Sequence, residues 1–158
     1  MSFTLLADIG GTNTRFVLAK EGHGILSDSY EAFPNSGASS PEVLIQRYFQ
    51  NQGIESCKQV VLALAAPTYG EEIVLTNHDW RFTIKSISAV SGAQDVRFIN
   101  DLEALGYGLS ALKSEQLQHL AGPSISGKNG PRVVVGAGTG FNAAIVTQAA
   151  NGDHHVKA

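Results

Sequence analysis

The sequence predicts an α/β fold with a mixed sheet, and three observations carry that prediction. Three strand-like segments follow one another at the start of the chain, near residues 4–9, 15–19 and 28–33, which is typical of an antiparallel meander. The apolar spacing then changes to a helical period. Finally, the run 60–65 is continuously apolar, which is typical of a strand covered on both faces at the centre of a sheet.

A helix is predicted over residues 41–52. Ser39 is expected to cap it, with Pro41 in the first turn and Glu42 three residues after the cap. Apolar residues then recur at a spacing of four until Gly53, which is expected to end the helix.

The later segments continue the alternation of strands and helices. The sequence predicts a strand at 72–75, a weaker helix at 83–90 and a strand at 96–99. A helix follows whose leucines at 102, 105, 109 and 112 are expected to share one face. We interpret 121–131 as a connection, expect a hairpin from Arg132 and predict no closing element in the tail 151–158.

Composition excludes several classes of partner. The chain has 158 residues, 43% of them hydrophobic, a net charge of −3 and no cluster of Lys or Arg, so no nucleic-acid partner and no membrane surface are expected. Its longest apolar run has seven residues, from Val60 to Ala66, against the ~20 that a membrane-spanning helix requires. With Cys57 as the single cysteine and no signal-peptide pattern at the start, we predict a cytoplasmic protein with a small-molecule partner.

Two glycine-rich segments carry the strongest functional signal. They are Asp8-Ile9-Gly10-Gly11-Thr12-Asn13-Thr14-Arg15 and Gly136-Ala137-Gly138-Thr139-Gly140, and strand-like residues flank both. Each is predicted to form the turn of a β-hairpin whose backbone N–H groups can bind phosphate oxygens. The structural alternative is an ordinary hairpin turn with no ligand.

Together with two further motifs, these segments resemble the N-terminal half of the bacterial glucokinase family, within the hexokinase and actin-like ATPase superfamily. The further motifs are Thr76-Asn77-His78-Asp79-Trp80 and Phe98-Ile99-Asn100-Asp101, which occur in the family's order and at similar spacing. The resemblance implies an actin-like ATPase (ribonuclease H-like) domain with a mixed sheet, followed by the first hairpin of a second α/β lobe. On this basis residues 1–111 form the small lobe and residues 112–158 begin the large lobe.

The chain departs from the family pattern in two places. The family usually has an aliphatic residue and then glycine after the second glycine segment, whereas Phe141-Asn142 stands here. The family's Glu-x-Gly-His sugar-binding motif does not occur in these 158 residues. The resemblance therefore implies that this chain carries part of an active site.

The activity implied by the resemblance is ATP-dependent phosphorylation of glucose, or a similar hexose, to the 6-phosphate, the first step of glycolysis. Asp8 would hold Mg²⁺, because hard cations prefer oxygen ligands. The resemblance assigns the phosphates of ATP to residues of both glycine segments: Gly10, Gly11, Thr12, Asn13, Gly136, Gly138, Thr139 and Gly140.

The same resemblance assigns roles in sugar binding and proton transfer. Asp101 would take the proton from the sugar hydroxyl, while Asn100 and Asn77 would bind neighbouring hydroxyls. Local sequence alone favours N-caps for Asn100 and Asp101 and a solvated turn for Asn77. Capping and catalysis are compatible, since a helix N-terminus favours an ionised carboxylate.

Two other functional classes deserve comparison. A dinucleotide-binding fingerprint around the second segment is excluded because Phe141 stands where its third glycine should be. A non-catalytic sugar-binding fragment of the same fold stays open as the alternative. A homodimer is also compatible with the resemblance.

Overall fold

The computed structural model describes residues 2–75, 78–109, 111–122, 130–137, 141–149 and 151–158. It divides into two compact units, Met1–Asp101 and Leu102–Ala158. The assignment of residues 1–111 and 112–158 to the two lobes of a kinase stays a prediction.

The first unit contains a five-stranded mixed sheet, a small two-stranded sheet and two helices. Its elements are β1 (Phe3–Ile9), β2 (Asn13–Lys20), β3 (Gly24–Pro34), α1 (Pro41–Gln52), β4 (Gln59–Leu64), β5 (Glu72–Val74), β6 (Arg81–Thr83), α2 (Ile84–Ser91) and β7 (Asp95–Asn100). The large sheet has the order β3-β2-β1-β4-β7. Antiparallel pairing joins β1, β2 and β3, whereas β4 runs parallel to both β1 and β7. The predicted meander is therefore confirmed. The apolar strand β4 lies inside the sheet, but β1 and not β4 occupies the central position, so the prediction of a central strand is wrong by one place.

The hydrophobic core covers one face of the five-stranded sheet. In the interior strand β4, Val60, Leu62 and Leu64 are fully buried. They are in register with Leu5, Ala7 and Ile9 of β1, which are also buried, so alternate residues of the two strands form one continuous apolar layer.

Helix α1 has the predicted bounds, but its first turn differs from the prediction. Ser40, not Ser39, is the N-cap residue, and its side chain makes no capping hydrogen bond. A capping box requires Glu three residues after the cap, and Glu42 is only two residues after Ser40. Gly53 ends the helix in the left-handed conformation at φ 64°, as predicted.

Tyr48 of α1 links the helix to the meander through a polar contact inside the core. Its hydroxyl donates to the backbone carbonyl of Ser29 over 2.7 Å, and its ring stacks on Phe16 at 5.0 Å between centroids. Ser29 in turn accepts from the N–H of Leu18 and donates to the carbonyl of Leu26, next to an irregularity in the β2–β3 register. These bonds give the backbone groups of Leu18, Leu26 and Ser29 hydrogen-bond partners beside the irregularity.

The second unit combines a helix with a three-stranded antiparallel sheet. Its elements are α3 (Asp101–Leu109), which begins at the last residue of the first unit, and β8 (Arg132–Ala137), β9 (Phe141–Gln148) and β10 (His154–Lys157). Strand β9 lies between β8 and β10. The predicted hairpin from Arg132 is confirmed, but the tail contains β10 and so does have a closing strand. The residues of β10 pair with residues of β9 that lie 6 to 12 positions earlier, so the short polar tail gave no local strand signal.

The buried face of α3 also differs from the prediction. Leu102 and Gly106 are buried, whereas Leu105 is 59% exposed and Leu112 lies beyond the helix. The predicted leucine face is therefore wrong. A Cβ added at Gly106 would lie 2.4 Å from Cγ1 of Val156 and 3.2 Å from Cγ2 of Val146. The helix approaches the sheet through the residue that has no side chain, which apolar spacing does not reveal.

No helix in the described part of the chain is long and apolar enough to cross a bilayer.

The two glycines of α3 provide a matched pair for testing this packing. We expect Gly106→Ala to lower the free energy of unfolding by about 1–3 kcal/mol, because the branched Val156 cannot move away without a change of rotamer. Gly108 has no heavy atom within 4 Å of an added Cβ, so Gly108→Ala should raise stability by about 0.5–1 kcal/mol. Urea denaturation of both variants measures the difference, and equal effects of the two substitutions would contradict the described packing.

Candidate active site

The candidate site lies in the first unit, at the end of the five-stranded sheet where the parallel strands β1, β4 and β7 have their carboxyl ends. We call this end of the sheet the site edge. Ile9, Leu64 and Asn100 are in register across β1, β4 and β7. The glycine segment after β1, the loop after β4 and the start of α3 therefore leave the sheet at the same edge. Ligands of open α/β sheets bind outside the carboxyl ends of the parallel strands.

This register brings two predicted carboxylates to one edge. Asp8 pairs with Ala63, which pairs with Ile99, two residues before Asp101. Two strand spacings separate Asp8 from Ile99, which places their Cα atoms roughly 10 Å apart. The topology thus brings Asp8 and the Asn100-Asp101 pair together, with one strand between them.

The first glycine segment forms the predicted β-hairpin turn. Ile9 of β1 pairs with Thr14 of β2, and the N–H of Gly10 donates to the carbonyl of Asn13 over 3.0 Å. A Cβ added at Gly10 would come no nearer than 3.5 Å to its nearest neighbour, an ordinary contact. Packing within the free protein therefore does not require glycine at position 10, whereas close approach of a ligand would.

Asn35 is a polar residue of this region that the sequence reasoning missed. It follows β3 directly, begins a 3-10 turn (Asn35–Gly37) and is 1% exposed. Its side chain and backbone make hydrogen bonds to Gly10, Thr12 and Thr14. The Asn-Ser-Gly turn after Pro34 was the available signal, but it gave no indication of a partner 25 residues earlier.

Asp8 forms an ion pair with Arg15. Oδ2 of Asp8 accepts from Nη1 of Arg15 over 2.6 Å across the β1–β2 pair, and each side chain is 49% exposed. The hydrogen bond from Arg15 and the negative charge of Asp8 raise the pKa of Arg15. The carboxylate predicted to hold Mg²⁺ thus has a cationic neighbour in the protein itself.

Asn100 and Asp101 occupy the junction between β7 and α3. Asn100 is the last residue of the strand, and its Nδ2 donates to the carbonyl of Ala66 over 3.3 Å. This bond ties the loop after β4 to the end of β7. Asp101 is the first residue of α3 and is half-buried, as the predicted strand-to-helix junction requires.

The predicted sugar contact Asn77 lies outside the described residues, but Leu75, His78 and Trp80 on either side of it are described. The connection between β5 and β6 is closed by the N–H of Leu75, which donates to the carbonyl of Trp80 over 3.3 Å. Trp80 is buried, and His78 packs against its ring at 5.2 Å between centroids. The indole thus anchors this connection in the core of the first unit.

The second glycine segment belongs to the second unit and is described only in part. Gly136 pairs with Asn142 within the β8–β9 hairpin, whereas Gly138, Thr139 and Gly140 lie outside the described residues. A Cβ added at Gly136 would lie 3.3 Å from Cδ2 of Leu102. Close packing against α3 is a structural reason for glycine at position 136, independent of any ligand.

The described residues contain no cluster of three or more His, Cys, Asp or Glu side chains that could enclose a metal ion. A protein-only metal cage is therefore absent from this part of the chain. Mg²⁺ is commonly held by one or two carboxylates together with substrate phosphates, and the single half-exposed carboxylate of Asp8 fits that arrangement.

A pocket of about 450 Å³ lies at the opposite end of the same sheet, where β1, β4 and β7 begin. Its lining includes the lysines Lys20 and Lys58 and the acids Glu21 and Asp95. Asp95 is already bonded to Arg97 and Gln59, and the formal charges of the lining lysines and acids cancel. This pocket is separate from the candidate site.

Comparison with known proteins gives one consistent result. The family model described as Glucokinase matches residues 5–158. Among curated proteins, glucokinase from Marinobacter nauticus is 33% identical over 151 residues, which is 95% of this chain and 46% of that protein. The chain thus spans about half the length of the curated relatives it matches.

Solved structures agree with the sequence relatives. Glucokinase from an Antarctic psychrotroph superposes with a TM-score of 0.81 at 29% identity, covering 99% of this chain and 49% of that one. Glucokinase from Balamuthia mandrillaris, solved in complex with glucose, superposes with a TM-score of 0.71 at 25% identity, covering 99% and 47% of the two chains. The expected actin-like α/β fold is thereby confirmed.

The ion pair between Asp8 and Arg15 can be tested with a cation probe. We expect Arg15→Gln to lower the free energy of unfolding by at most about 1 kcal/mol, because an exposed pair contributes little. The same change should strengthen Mn²⁺ binding near Asp8, seen as greater paramagnetic broadening of the amide signals of residues 8–12. The control Arg97→Gln removes a comparable exposed pair at the other edge and should leave those signals unchanged. Weaker broadening in Arg15→Gln than in the unaltered chain would contradict the expectation.

Proposed function

Because the chain belongs to the glucokinase family, we propose that it supplies the phosphate-binding loop and the catalytic carboxylate of an ATP-dependent glucose kinase. One observation carries the proposal: the parallel strands β1, β4 and β7 deliver the Asp8 loop and the Asn100-Asp101 pair to one edge of the sheet. Phosphoryl transfer needs little more than positioning, charge stabilisation and a proton acceptor, and these segments can provide all three. In the cytoplasm, this reaction would be the first step of glycolysis.

In this proposal the loop from Gly10 to Asn13 binds the phosphates of ATP. Successive backbone N–H groups at a glycine turn present a concave set of donors to an anion, and the hydroxyl of Thr12 adds one more. A Cβ added at Gly10 would lie at an ordinary distance of 3.5 Å from the carbonyl oxygen of Asn13. Packing within the protein therefore does not explain glycine at this position, which supports a ligand that approaches the backbone closely. Gly136, Gly138, Thr139 and Gly140 are proposed as the second phosphate-binding segment, contributed by the large lobe.

Asp8 is proposed as the carboxylate that holds Mg²⁺, directly or through water. The bound cation would neutralise charge on the phosphate oxygens. Arg15 holds the carboxylate in the absence of a cation and would be released or shared when one binds.

Asp101 is proposed as the general base. As the bond from the sugar oxygen to the γ-phosphorus forms and the bond to ADP breaks, the proton of the primary hydroxyl passes to the Asp101 carboxylate. It is the first residue of α3 and directly follows the carboxyl end of β7.

Glucose is proposed as the hexose, with Asn100 and Asn77 as contacts to its hydroxyls. The glucose bound to the Balamuthia mandrillaris glucokinase supports this choice. The bond from Asn100 to Ala66 would fix the orientation of its amide before the sugar arrives.

The half-length coverage of the relatives favours a second candidate for the 158 residues taken alone. A chain of this length could bind sugar or nucleotide weakly without turnover, as a non-catalytic binding fragment of the same fold. We expect no measurable phosphorylation of glucose by these 158 residues in a coupled assay with Mg-ATP. The kinase experiment therefore uses a chimera in which residues 1–158 are continued by the remaining length of the Marinobacter nauticus glucokinase.

The role of Asp101 is tested in that chimera. We expect Asp101→Asn to lower kcat by a factor on the order of 10²–10⁴ with little change in the KM for glucose, because the amide keeps the shape but cannot accept the proton. The matched control Asp28→Asn removes an exposed carboxylate from β3 and should leave both constants unchanged. A kcat near that of the unaltered chimera would remove Asp101 from the role of base.

The role of Asp8 is tested by removing the metal as well as the side chain. In the 158-residue chain, Mg²⁺ should strengthen ATP binding, and both Asp8→Asn and excess EDTA should abolish that gain, since an amide is a much weaker ligand for Mg²⁺. Calorimetric titration with and without Mg²⁺ measures the effect, with Asp95→Asn at the opposite edge as the control. An undiminished Mg²⁺ dependence in Asp8→Asn would exclude this residue as the metal ligand.

A further inference from the structure

We propose that Asn35 is a positioning residue that holds the Gly10–Thr14 loop in the shape required for phosphate binding. The proposal rests on the proposed function, because it gives Asn35 a role in the same nucleotide site. Asn35 itself is buried, so the inference concerns its action through the loop and not a contact with the ligand.

Three hydrogen bonds join Asn35 to the loop at three separate points. Its Nδ2 donates to the carbonyl of Gly10 over 2.8 Å, and its backbone N–H donates to the carbonyl of Thr12 over 2.9 Å. Its Oδ1 accepts from the hydroxyl of Thr14 over 2.8 Å. The start, middle and end of the turn are thus all tied to one residue.

Two of these hydrogen bonds hold backbone carbonyl groups of the turn, and they thereby fix the directions of the neighbouring N–H groups. When the carbonyls of Gly10 and Thr12 are held towards Asn35, each peptide plane has one fixed orientation. The N–H of a peptide points opposite to its carbonyl, so the N–H groups of Gly11 and Asn13, which share peptides with those carbonyls, are directed away from Asn35. A fixed set of outward N–H groups is what a phosphate requires.

Asn35 is itself held firmly enough to serve this purpose. It follows the last residue of β3, where Pro34 pairs with Asn13, and its carbonyl accepts from the N–H of Ala38 over 3.1 Å. Its partner Thr14 is 1% exposed. The sheet therefore fixes Asn35, and Asn35 fixes the loop.

The chemistry of the loop explains the need for such a residue. Adjacent glycines at 10 and 11 leave this backbone more conformational freedom than any other pair of residues would. Ordering a loop when a ligand binds weakens binding, and ordering it beforehand removes that loss. Asparagine suits the position because it offers a donor to Gly10 and an acceptor to Thr14 from one short side chain.

The test compares three variants of the 158-residue chain. Asn35→Ala removes both side-chain bonds, and Thr14→Val removes only the bond to Oδ1. The matched control is Ser29→Ala. Ser29 is a buried residue of β3, the strand that precedes Asn35, and it also bridges two backbone groups but does not touch the loop. Melting temperatures establish how much each variant is destabilised.

Two measurements then separate positioning from stability. Amide hydrogen exchange at Gly10, Gly11 and Asn13 reports the order of the loop, and titration with Mg-tripolyphosphate reports phosphate binding through the same amide signals. We expect Asn35→Ala to exchange faster at these amides and to bind tripolyphosphate about tenfold more weakly, the equivalent of one hydrogen bond. Thr14→Val should show a smaller change in the same direction, and Ser29→Ala should bind as the unaltered chain does.

Each outcome decides the matter. Equal loss of binding in Asn35→Ala and Ser29→Ala would overturn the proposal, as would faster exchange with unchanged binding. If Asn35→Ala does not fold, Thr14→Val decides by the same two measurements. If tripolyphosphate leaves the loop amides of the unaltered chain unchanged, the phosphate role of the loop fails. A difference in amide exchange between the variants would then report only that Asn35 stabilises the loop, and the proposed positioning role would be overturned as well.

Discussion

The parallel pairing of β1, β4 and β7 is the constraint on which the candidate site depends. A shift of one residue in this register would move alternate side chains to the other face of the sheet. The fully buried Val60, Leu62 and Leu64 prevent that shift, because it would turn these three side chains away from the core. Apolar burial in β4 thus determines where Asp8 and Asp101 lie.

The ends of these strands need support of a different kind. Glycine turns lack side chains that could pack, so the first loop relies on hydrogen bonds with Asn35, which donates to Gly10 and accepts from Thr14. The loop after β4 relies on Asn100 in a similar way. In both places an asparagine amide bonds to a backbone carbonyl at the sheet edge. Buried polar groups of this kind select one arrangement of the backbone, since an unsatisfied carbonyl would be costly.

The two units differ in how completely their sheets are covered by other side chains. The first unit contains a complete five-stranded sheet with a continuous core, whereas the second contains a three-stranded sheet with exposed apolar residues such as Val133 and Ile145 on one face. Val133 of β8 and Ile145 of β9 are paired across the two neighbouring strands.

Local sequence determined those features whose causes lie close together in the chain. The spacing of apolar residues predicted the helix from 41 to 52, Gly53 ended it, and the unbroken run at 60–65 identified an interior strand of the sheet. Asp8, Asn100 and Asp101 were predicted as site residues from local signals, namely strand ends and motifs. The Asn35 contacts and the Asp8–Arg15 pair were not, and the buried face of α3 was misjudged, because they depend on pairing between strands and on close packing around a glycine. Burial and register act between residues distant in sequence, and only the folded chain brings those residues into contact.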